Sequence, residues 1–475
     1  HMNIKKALIR TNQIALLTAS LGVAASSNAA DQELLDILLS NGAIDQSQYD
    51  ALMQRETLNS TDILPDTSTE IISSPAVAAE VSRQIEEKFP VKASRVSSGF
   101  RFETSDEKFR TDLQWRAQTR YTTPFRSDPR KLSAFGKDQS NFEARRLRMK
   151  IGGHGFQPWL RYYFEVDLQP SRDTDDGASN ASARVIDWRI DVAKWDWGGI
   201  RLGQWKVDMN RERVDSSGRQ QFVERSIANR VFTIDRQVGI QLRGHLFQDT
   251  PADMRYFAGV FNGEGRGVNN TDDNMMYMGR LQWNFLGRDV PFRQTDVEYT
   301  ELPMGSLAIA GATNKGSCTR WSSSGCGNLD GFESAANAAP DQYDINQVVQ
   351  EFAFKYRGFS AQQELHRKRI TDTVNNTKSE LTGGYVQAGY FFHNMFPAVP
   401  EPLELAIRYA FVDEPNASTL QFENAREELT VGANWFFSGH NNKITVDFSH
   451  LKLDDALVNI GESENRLRMQ WDVSF

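Results

Sequence analysis

The chain is poor in several features that would otherwise assign it to common classes of protein. Its 475 residues include only two cysteines, and none of its seven histidines stands with a serine or aspartate in a recognisable catalytic motif. Beyond residue 30 there is no run of about 18 apolar residues, which excludes membrane-spanning helices. Only 39% of the residues are hydrophobic, a content that fits a soluble protein and a barrel with one wet face equally. The spacing of the apolar residues must therefore decide the fold class.

The first thirty residues have the pattern of a secretory signal. Three basic residues precede a short apolar stretch, Ile14–Ala25, and small residues follow it. His1 precedes the methionine and is interpreted as a remnant of an expression tag. We expect residues 1–30 to comprise this remnant and a cleaved signal peptide, the alternative being an amphipathic amino-terminal helix. Cleavage would lower the net charge from −8 to about −11, because the signal carries three basic and no acidic residues.

Apolar and polar residues alternate in many segments of the chain. Within the last ten residues, every second position is apolar: Leu467, Met469, Trp471, Val473 and Phe475. A period of two places these side chains on one face of a strand and the polar ones on the other. The same alternation recurs at 160–168, 238–243, 403–411 and 429–435. In an exported chain this pattern indicates an outer-membrane β-barrel with a lipid-facing apolar side, although a soluble β-protein also alternates.

The domain organisation follows from where this alternation begins. Residues 97–475 form the predicted all-β domain, a transmembrane antiparallel barrel of about sixteen strands at roughly 9–11 residues per crossing. Residues 31–58 have helical spacing with a stop signal in the middle, which predicts a helical hairpin on the periplasmic side. Residues 59–96 form the predicted linker, with a short helix possible at 80–90. Whether the hairpin caps the barrel or stabilises an oligomer stays open.

A series of segments, in order along nearly the whole exported chain, carries a resemblance to one family. The segments are Glu33–Leu52, Gly99–Phe109, Arg145–Gly153, Gly203–Lys206, Glu212–Arg213 with Ser216–Ser217, Phe222–Ser226, Arg236–Gly239, Tyr385–Tyr390 and Asn434–Trp435. In these segments the chain resembles the phosphate-selective porins O and P. The resemblance implies a sixteen-stranded barrel that assembles as a homotrimer.

The resemblance also implies a set of residues at the pore constriction. Arg145 and Arg146 match an arginine pair, and Arg148 falls where members have a polar or basic neighbour. The remaining matches are Arg213 for a constriction lysine, Ser216 and Ser217 for two serines, and Asp187 for an acidic residue beside the anion. Arginine in place of lysine keeps the positive charge but changes the geometry of its hydrogen bonds.

The direction and chemistry of the basic block that begins at Arg145 can also be predicted without the family resemblance. Alternation directs Arg146, Arg148 and Lys150 into the lumen, whereas Arg145 falls on the other face unless a strand end or bulge redirects it. Guanidinium groups donate paired hydrogen bonds to oxyanions, and a basic ring in a narrow pore concentrates anions. The alternative is ordinary pore lining by paired arginines and carboxylates. The acidic net charge and nearby carboxylates argue against strong anion selectivity.

The two cysteines lie in a segment rich in glycine and serine, residues 317–327. An even cysteine count in an exported chain favours a disulfide, Cys318–Cys326, that closes a small extracellular surface loop. The spacing does not suggest a metal site, because no histidine or second cysteine pair lies nearby.

Together these patterns predict a porin for passive diffusion of small hydrophilic solutes, with a preference for anions such as phosphate or polyphosphate. The alternatives are a general porin, a porin for another nutrient, and a surface protein anchored by its barrel. We expect no enzymatic activity, no cofactor and no nucleic-acid partner. The expected partners are outer-membrane lipid and lipopolysaccharide, small anionic solutes and two further copies of the chain.

Overall fold

A computed structural model of the chain describes residues 90–124, 139–168, 183–270, 272–323, 325–414, 424–455 and 459–475, with isolated positions at 39, 46, 49, 50, 132, 135 and 136. The predicted signal peptide and most of the predicted linker lie outside these residues. The predicted helical hairpin also lies mostly outside them, and its described positions, Leu39, Gln46, Tyr49 and Asp50, are helical. Among the described residues, no helix is long and apolar enough to cross a membrane.

From Pro90 onward the described chain forms twenty strands, two short α-helices and a 3-10 helix, Phe392–Asn394. The strands are β1 (Val91–Val96), β2 (Gly99–Thr104), β3 (Arg110–Thr123), β4 (Asn141–Gly155), β5 (Gln157–Asp167), β6 (Arg184–Trp195), β7 (Gly198–Lys206), β8 (Arg236–Leu246), β9 (Met254–Phe261), β10 (Met276–Trp283), β11 (Met304–Gly316), β12 (Arg320–Ser322), β13 (Gly325–Gly327), β14 (Tyr343–Tyr356), β15 (Phe359–Asp372), β16 (Thr377–Tyr390), β17 (Leu403–Glu414), β18 (Asn424–Ser438), β19 (Asn442–Asp455) and β20 (Ile460–Ser474). The α-helices are α1 (Arg211–Val214) and α2 (Ala228–Phe232).

Sixteen of these strands, β3–β11 and β14–β20, close into an antiparallel barrel. Each strand pairs with the next, and β20 returns to β3 with Leu467 opposite Thr123 and Ser474 opposite Arg116. Beyond this ladder, the backbone N–H of Phe475 donates to the carbonyl of Trp115 at 3.0 Å. The closed sheet leaves no unpaired barrel edge, and it confirms the predicted fold class and strand number.

A short hairpin lies outside the barrel circle. Strands β1 and β2 pair with each other, and β2 pairs with the first residues of β3, from Arg110 to Leu113. The sheet therefore begins at Val91, six residues before the predicted start of the β domain. The sequence pattern alone does not identify β1, because the strand is short and exposed and half of its residues are polar. Its backbone hydrogen bonds to β2 hold it in the extended conformation.

Exposure along the strands is inverted relative to a soluble protein. In β20 the apolar Leu467 and Trp471 are 40% and 51% exposed, whereas Arg468 and Asp472 are 4% and 2% exposed. The other segments with alternating residues behave in the same way. The apolar face points outward and the polar face inward, which is the arrangement of a barrel in lipid.

The two ends of the barrel differ in the length of their connections. One end has short turns at 196–197, 357–358 and 439–441 and one long connection, 284–303, whereas the other end has the two longest connections, 207–235 and 317–342. Outer-membrane barrels place short turns in the periplasm and long loops outside the cell. We therefore assign the end with the long connections to the extracellular side.

The connection 207–235, here called the lumen loop, folds into the barrel and carries both α-helices. Its backbone is held by carboxylates of the opposite wall: the N–H of Arg211 donates to Glu351 at 2.9 Å, and that of Val223 donates to Asp447 at 2.8 Å. Most of its residues are buried. The lumen loop therefore divides the space inside the barrel.

One part of the barrel interior is filled by an apolar cluster. The lumen loop contributes Val231 and Phe232, and the connection 317–342 contributes Trp321, all at most 1% exposed.

The disulfide Cys318–Cys326 forms in the connection 317–342, with 5.7 Å between the Cα atoms. Cys318 is itself buried, so the expectation of a simple surface loop was wrong. Burial of apolar side chains such as Trp321 draws the loop into the barrel mouth.

Candidate functional site in the barrel lumen

The lumen contains a polar cavity of about 460 Å³ between strands β3–β8 and the lumen loop. Its lining is mainly charged and comprises Gln114, Arg148, Lys150, Tyr163, Glu165, Asp187, Arg189, Arg201, Trp205, Lys206, Asp208, Val214, Ser216, Arg219, Arg243 and Phe292. The position follows from the fold, because the apolar cluster fills the side that faces β9–β17. We call this space the basic cavity.

Positive side chains outnumber negative ones on the wall of the basic cavity. Seven lining residues are arginine or lysine and three are acidic. Each carboxylate is held by an arginine: Glu165 by Arg148 at 2.8 Å, Asp187 by Arg236 at 2.6 Å, and Asp208 by Arg243 at 3.5 Å. Pairing of this kind is needed for charges that are mostly removed from water. The surplus charge on the wall is therefore positive.

Three cations of the basic cavity supply this surplus. Within the described residues, Lys150, Lys206 and Arg219 have no carboxylate within 4.0 Å. The Lys206 ammonium donates to the backbone carbonyl of Asp215 at 3.1 Å. Burial raises the pKa of the Asp215 carboxyl, which lies in the lumen loop, above its ordinary value of 3.8. The cavity thus presents positive donors that are not already neutralised.

Arginine side chains of the wall are braced by aromatic rings. The guanidinium of Arg189 lies 4.3 Å from the ring centre of Tyr163, and that of Arg243 lies 5.1 Å from Phe257. Cation–π contacts of this length hold the planar groups in place without neutralising their charge. Fixed donors lose little freedom when an anion binds between them.

Beside the basic cavity, a β-bulge redirects Arg145 into the lumen. In the pairing of β3 with β4, Gln118 lies opposite Arg146 while Thr119 lies opposite Ala144, so Arg145 is the extra residue. Its Nε atom donates to Glu224 of the lumen loop at 3.0 Å. Strict alternation would have placed this side chain in lipid, and the bulge removes that conflict.

Glu224 joins three arginines from two neighbouring strands. Its carboxylate lies 2.8 Å from Arg120, 2.9 Å from Arg145 and 3.9 Å from Arg146. Burial alone would raise the pKa of Glu224, but the positive charges of these arginines outweigh it and lower that pKa well below its ordinary value of 4.5. Glu224 is therefore ionised at neutral pH and anchors the lumen loop to the wall.

A family model covers the barrel and permits an assignment. The model for phosphate-selective porin O and P matches residues 123–475, most of the chain. The chain belongs to the phosphate-selective porin O and P family. No sequence among the curated proteins matches it.

Solved structures resemble this O and P porin in fold, at low sequence identity. A loop-deletion mutant of OmpT from Vibrio cholerae and the channel DcaP of Acinetobacter baumannii each align with a TM-score of 0.50 and 11% identity, over 77% of the chain. The alignments cover 99% and 97% of those proteins. Salmonella typhi OmpF, solved with daunomycin, aligns with a TM-score of 0.50 and 12% identity, over 78% of the chain and 100% of OmpF.

The family and the fold place this O and P porin in the outer membrane as a channel. Both favour a channel over an enzyme. Which solutes pass through the channel depends on the charges of the side chains in the lumen.

The structure brings the predicted constriction residues of this porin into the lumen, in three groups. Arg148, Asp187 and Ser216 line the basic cavity, while Arg145 and Arg146 lie at Glu224. Arg213 is paired with Asp235, and Ser217 accepts a hydrogen bond from Arg116 at 3.3 Å. Their joint role at one constriction stays a prediction.

Of the three cations in the basic cavity that have no nearby carboxylate among the described residues, sequence reasoning missed two, Lys206 and Arg219. Lys206 lies four positions after Leu202 in β7, and Leu202 is 42% exposed on the outer face. Alternation would therefore place the Lys206 side chain on the same lipid-facing side. It is the last residue of β7, however, and its ammonium turns inward to the lumen loop. Arg219 lies in the lumen loop itself, where no periodic pattern gives the direction of a side chain.

Proposed function

We propose that the protein is an anion-preferring porin for passive diffusion of small hydrophilic solutes, with phosphate-like oxyanions as the preferred class. The observation that carries the proposal is the surplus of positive charge on the wall of the basic cavity, where Lys150, Lys206 and Arg219 have no nearby carboxylate among the described residues. The family membership supports the same preference.

The chemistry of the wall suits an oxyanion in transit. A dehydrated anion needs donors that replace its water, and lysine ammonium, arginine guanidinium and the Ser216 hydroxyl are such donors. Lysines act as mobile point charges, whereas the guanidinium of Arg189 is fixed against a ring. A mixture of fixed and mobile donors favours entry without tight retention, as conduction requires.

The arginine pair beside Glu224 has a different role in this proposal. Arg145 and Arg146 share one carboxylate with Arg120, so much of their charge is compensated. We propose that they hold the lumen loop in position and raise the local potential, while anions pass along the Lys206 side.

The assembly and export of the protein are proposed from the family and the sequence alone. The protein would be exported with its signal peptide removed and would form a homotrimer in the outer membrane, in contact with outer-membrane lipid and lipopolysaccharide. Sedimentation of the purified protein in detergent tests the trimer.

Selectivity can be tested with a paired neutralisation, Lys150→Gln/Lys206→Gln. In planar bilayers under a potassium chloride gradient, the wild type should give a reversal potential on the anion side, and the double variant should move it toward zero. Phosphate should also reduce the chloride current of the wild type at lower concentration than that of the variant. Lys452→Gln, on the outer face of β19, is the matched control and should behave as the wild type.

A general porin is the second candidate, and the compensated charges favour it. Three arginines meet Glu224, and each carboxylate of the basic cavity is paired, as in ordinary pore lining. If the double variant and the wild type share one reversal potential near zero, the general porin is correct. The channel function itself would survive that result.

A further inference from the structure

The outer surface of the barrel contains a groove that the pore does not use. A hollow of about 860 Å³ crosses the lipid-facing side of β7–β11 and β14–β15. A second hollow of about 470 Å³ shares Gly279, Gly311 and Val348 with it and continues to Leu281 and Ile309. Together they form one furrow, here called the outer groove.

The outer groove exists because small residues lie side by side on adjacent strands. Ala258, Gly279 and Gly311 are paired in register across β9, β10 and β11. A Cβ atom added at Gly279 would meet no other atom within 4 Å, so this glycine is not required by close packing. Larger side chains on the same face, such as Leu242 and Val348, form the walls. The floor is therefore low and apolar.

Positive charge lies at the extracellular end of the outer groove. Arg367 and Arg369 face outward from β15 with side chains 60% and 54% exposed. Both donate to Glu380 on β16, at 2.7 Å each, so two positive charges share one negative charge. Lys378 follows on the same face of β16 and is exposed. These four side chains keep a net positive charge, and within the described residues the two guanidinium groups donate to Glu380 alone.

The depth of these arginines matches the head-group region of the membrane. β15 has 14 residues, whereas a crossing needs about 9–11, and Arg369 lies three residues before the extracellular end of the strand. Gly311 lies opposite Val348, which lies opposite Arg367, so the first hollow begins at the level of the arginines. The second hollow continues two residues further from the extracellular ends of the strands, to Leu281 and Ile309.

A second outer groove provides an internal comparison. It has a volume of about 640 Å³, lies toward the periplasmic ends of β15–β19, and is lined by apolar residues that include Ala388, Leu405 and Ile407. No charged residue lines it. Both hollows suit acyl chains, but only the first combines an acyl furrow with a charged end.

We propose that the outer groove binds one phosphorylated lipid of the outer leaflet, with a phosphate on Arg367 and Arg369 and an acyl chain over Gly279 and Gly311. Guanidinium groups form paired charge-assisted hydrogen bonds with phosphate, and the apolar floor excludes a polar occupant. The arginines lie at the extracellular end and the apolar floor continues from them. This arrangement fits a lipid whose charged head group points toward the outside of the cell. The lipid A portion of lipopolysaccharide, which is a diphosphorylated glycolipid, has this chemistry.

The test measures lipid retention by the full-length protein in detergent, using native mass spectrometry. Purified lipid A is the probe, and phosphatidylcholine is the zwitterionic comparison, whose single phosphate is balanced by its own choline cation. The variant Arg367→Gln/Arg369→Gln/Glu380→Gln removes both guanidinium groups and lowers the net charge of the cluster, and it keeps amide groups of similar size. The second variant, Gly279→Leu, fills the furrow at a position where a side chain fits.

The wild type should retain lipid A in preference to phosphatidylcholine. The triple variant should weaken lipid A retention by about tenfold or more, because it loses charge-assisted contacts. Gly279→Leu should weaken it by about tenfold, because the added side chain takes the space of part of the acyl chain. Two controls should retain lipid A as the wild type does. Lys452→Gln removes an outward cation that is paired with Asp454, and Ala388→Leu fills the uncharged groove.

The proposal is wrong if the triple variant and Gly279→Leu both retain lipid A like the wild type. It is also wrong if the wild type shows no preference for lipid A while Gly279→Leu breaks up an oligomer, because the occupant would then be a second copy of the chain. Heat-modifiable electrophoretic mobility checks that each variant is folded. Gly279→Leu decides the matter alone if the triple variant does not fold.

Discussion

Replacing Glu224 by glutamine should make the channel more anion-selective and loosen its lumen loop. The carboxylate is the point where the lumen loop meets Arg120 and Arg145, at 2.8 Å and 2.9 Å, with Arg146 at 3.9 Å. Glutamine has nearly the same size and keeps one hydrogen-bond acceptor. The change therefore removes one negative charge from the lumen with little change in packing.

Both magnitudes can be estimated from these contacts. A unit charge acts on an ion 4 Å away with about 1 kcal/mol in water, which corresponds to roughly a fivefold change in local anion concentration. A charge-assisted hydrogen bond contributes about 1.5–3 kcal/mol, and two are weakened. The Glu224 side chain is 24% exposed, so solvent screening reduces the sum, and we expect a loss of about 2–3 kcal/mol in the free energy of unfolding.

The assay combines electrophysiology with unfolding in detergent. Reversal potentials in planar bilayers under a salt gradient report the charge of the lumen, and denaturant unfolding reports the attachment of the lumen loop. Glu427→Gln is a similar carboxylate change on the outer face of β18. It should change the reversal potential and the free energy of unfolding far less than Glu224→Gln does.

An unchanged reversal potential in Glu224→Gln would mean that the anions do not sense the arginines around it. A shift toward cations would contradict the assignment of these arginines to the lumen. The expected shift toward anions together with a normal unfolding midpoint would refute the anchoring role alone.

Two further predictions concern acid and lipid. Because the pKa of Glu224 is lowered on folding, its contribution to stability is complete above its ordinary value of 4.5 and is lost as the pH falls through the folded value. The stability difference between the wild type and Glu224→Gln should therefore shrink below about pH 4.5, and a constant difference would contradict the ion cluster. Ile407→Arg, at a lipid-facing position that is 52% exposed, should destabilise the barrel by about 2–4 kcal/mol in bilayers, whereas Ile407→Leu should not.

The apolar cluster divides the interior of this barrel unevenly. Phe232 and Trp321 are packed in that cluster, and the basic cavity lies on the side near β3–β8. The acidic net charge of the whole chain therefore does not set the local field. The potential in the basic cavity depends on the few side chains that line it.

Some of the site followed from sequence and some did not. Alternation correctly directed Arg146 and Arg148 into the lumen, because a strand has a fixed period of two. Arg145 needed the bulge opposite Gln118 and Thr119, and a bulge is a property of two paired strands. The sequence left the direction of Arg145 open for this reason.

The amino-acid sequence by itself determined which face meets lipid in the strands that alternate regularly, since that depends only on the residues of one strand, as Leu467 and Arg468 illustrate. Tertiary structure alone decided which charges meet. Glu224 lies far along the chain from Arg120 and Arg145, yet the inward fold of the lumen loop brings them within 3 Å. Such contacts depend on the path of a loop through the barrel, and no periodic pattern in the chain encodes that path.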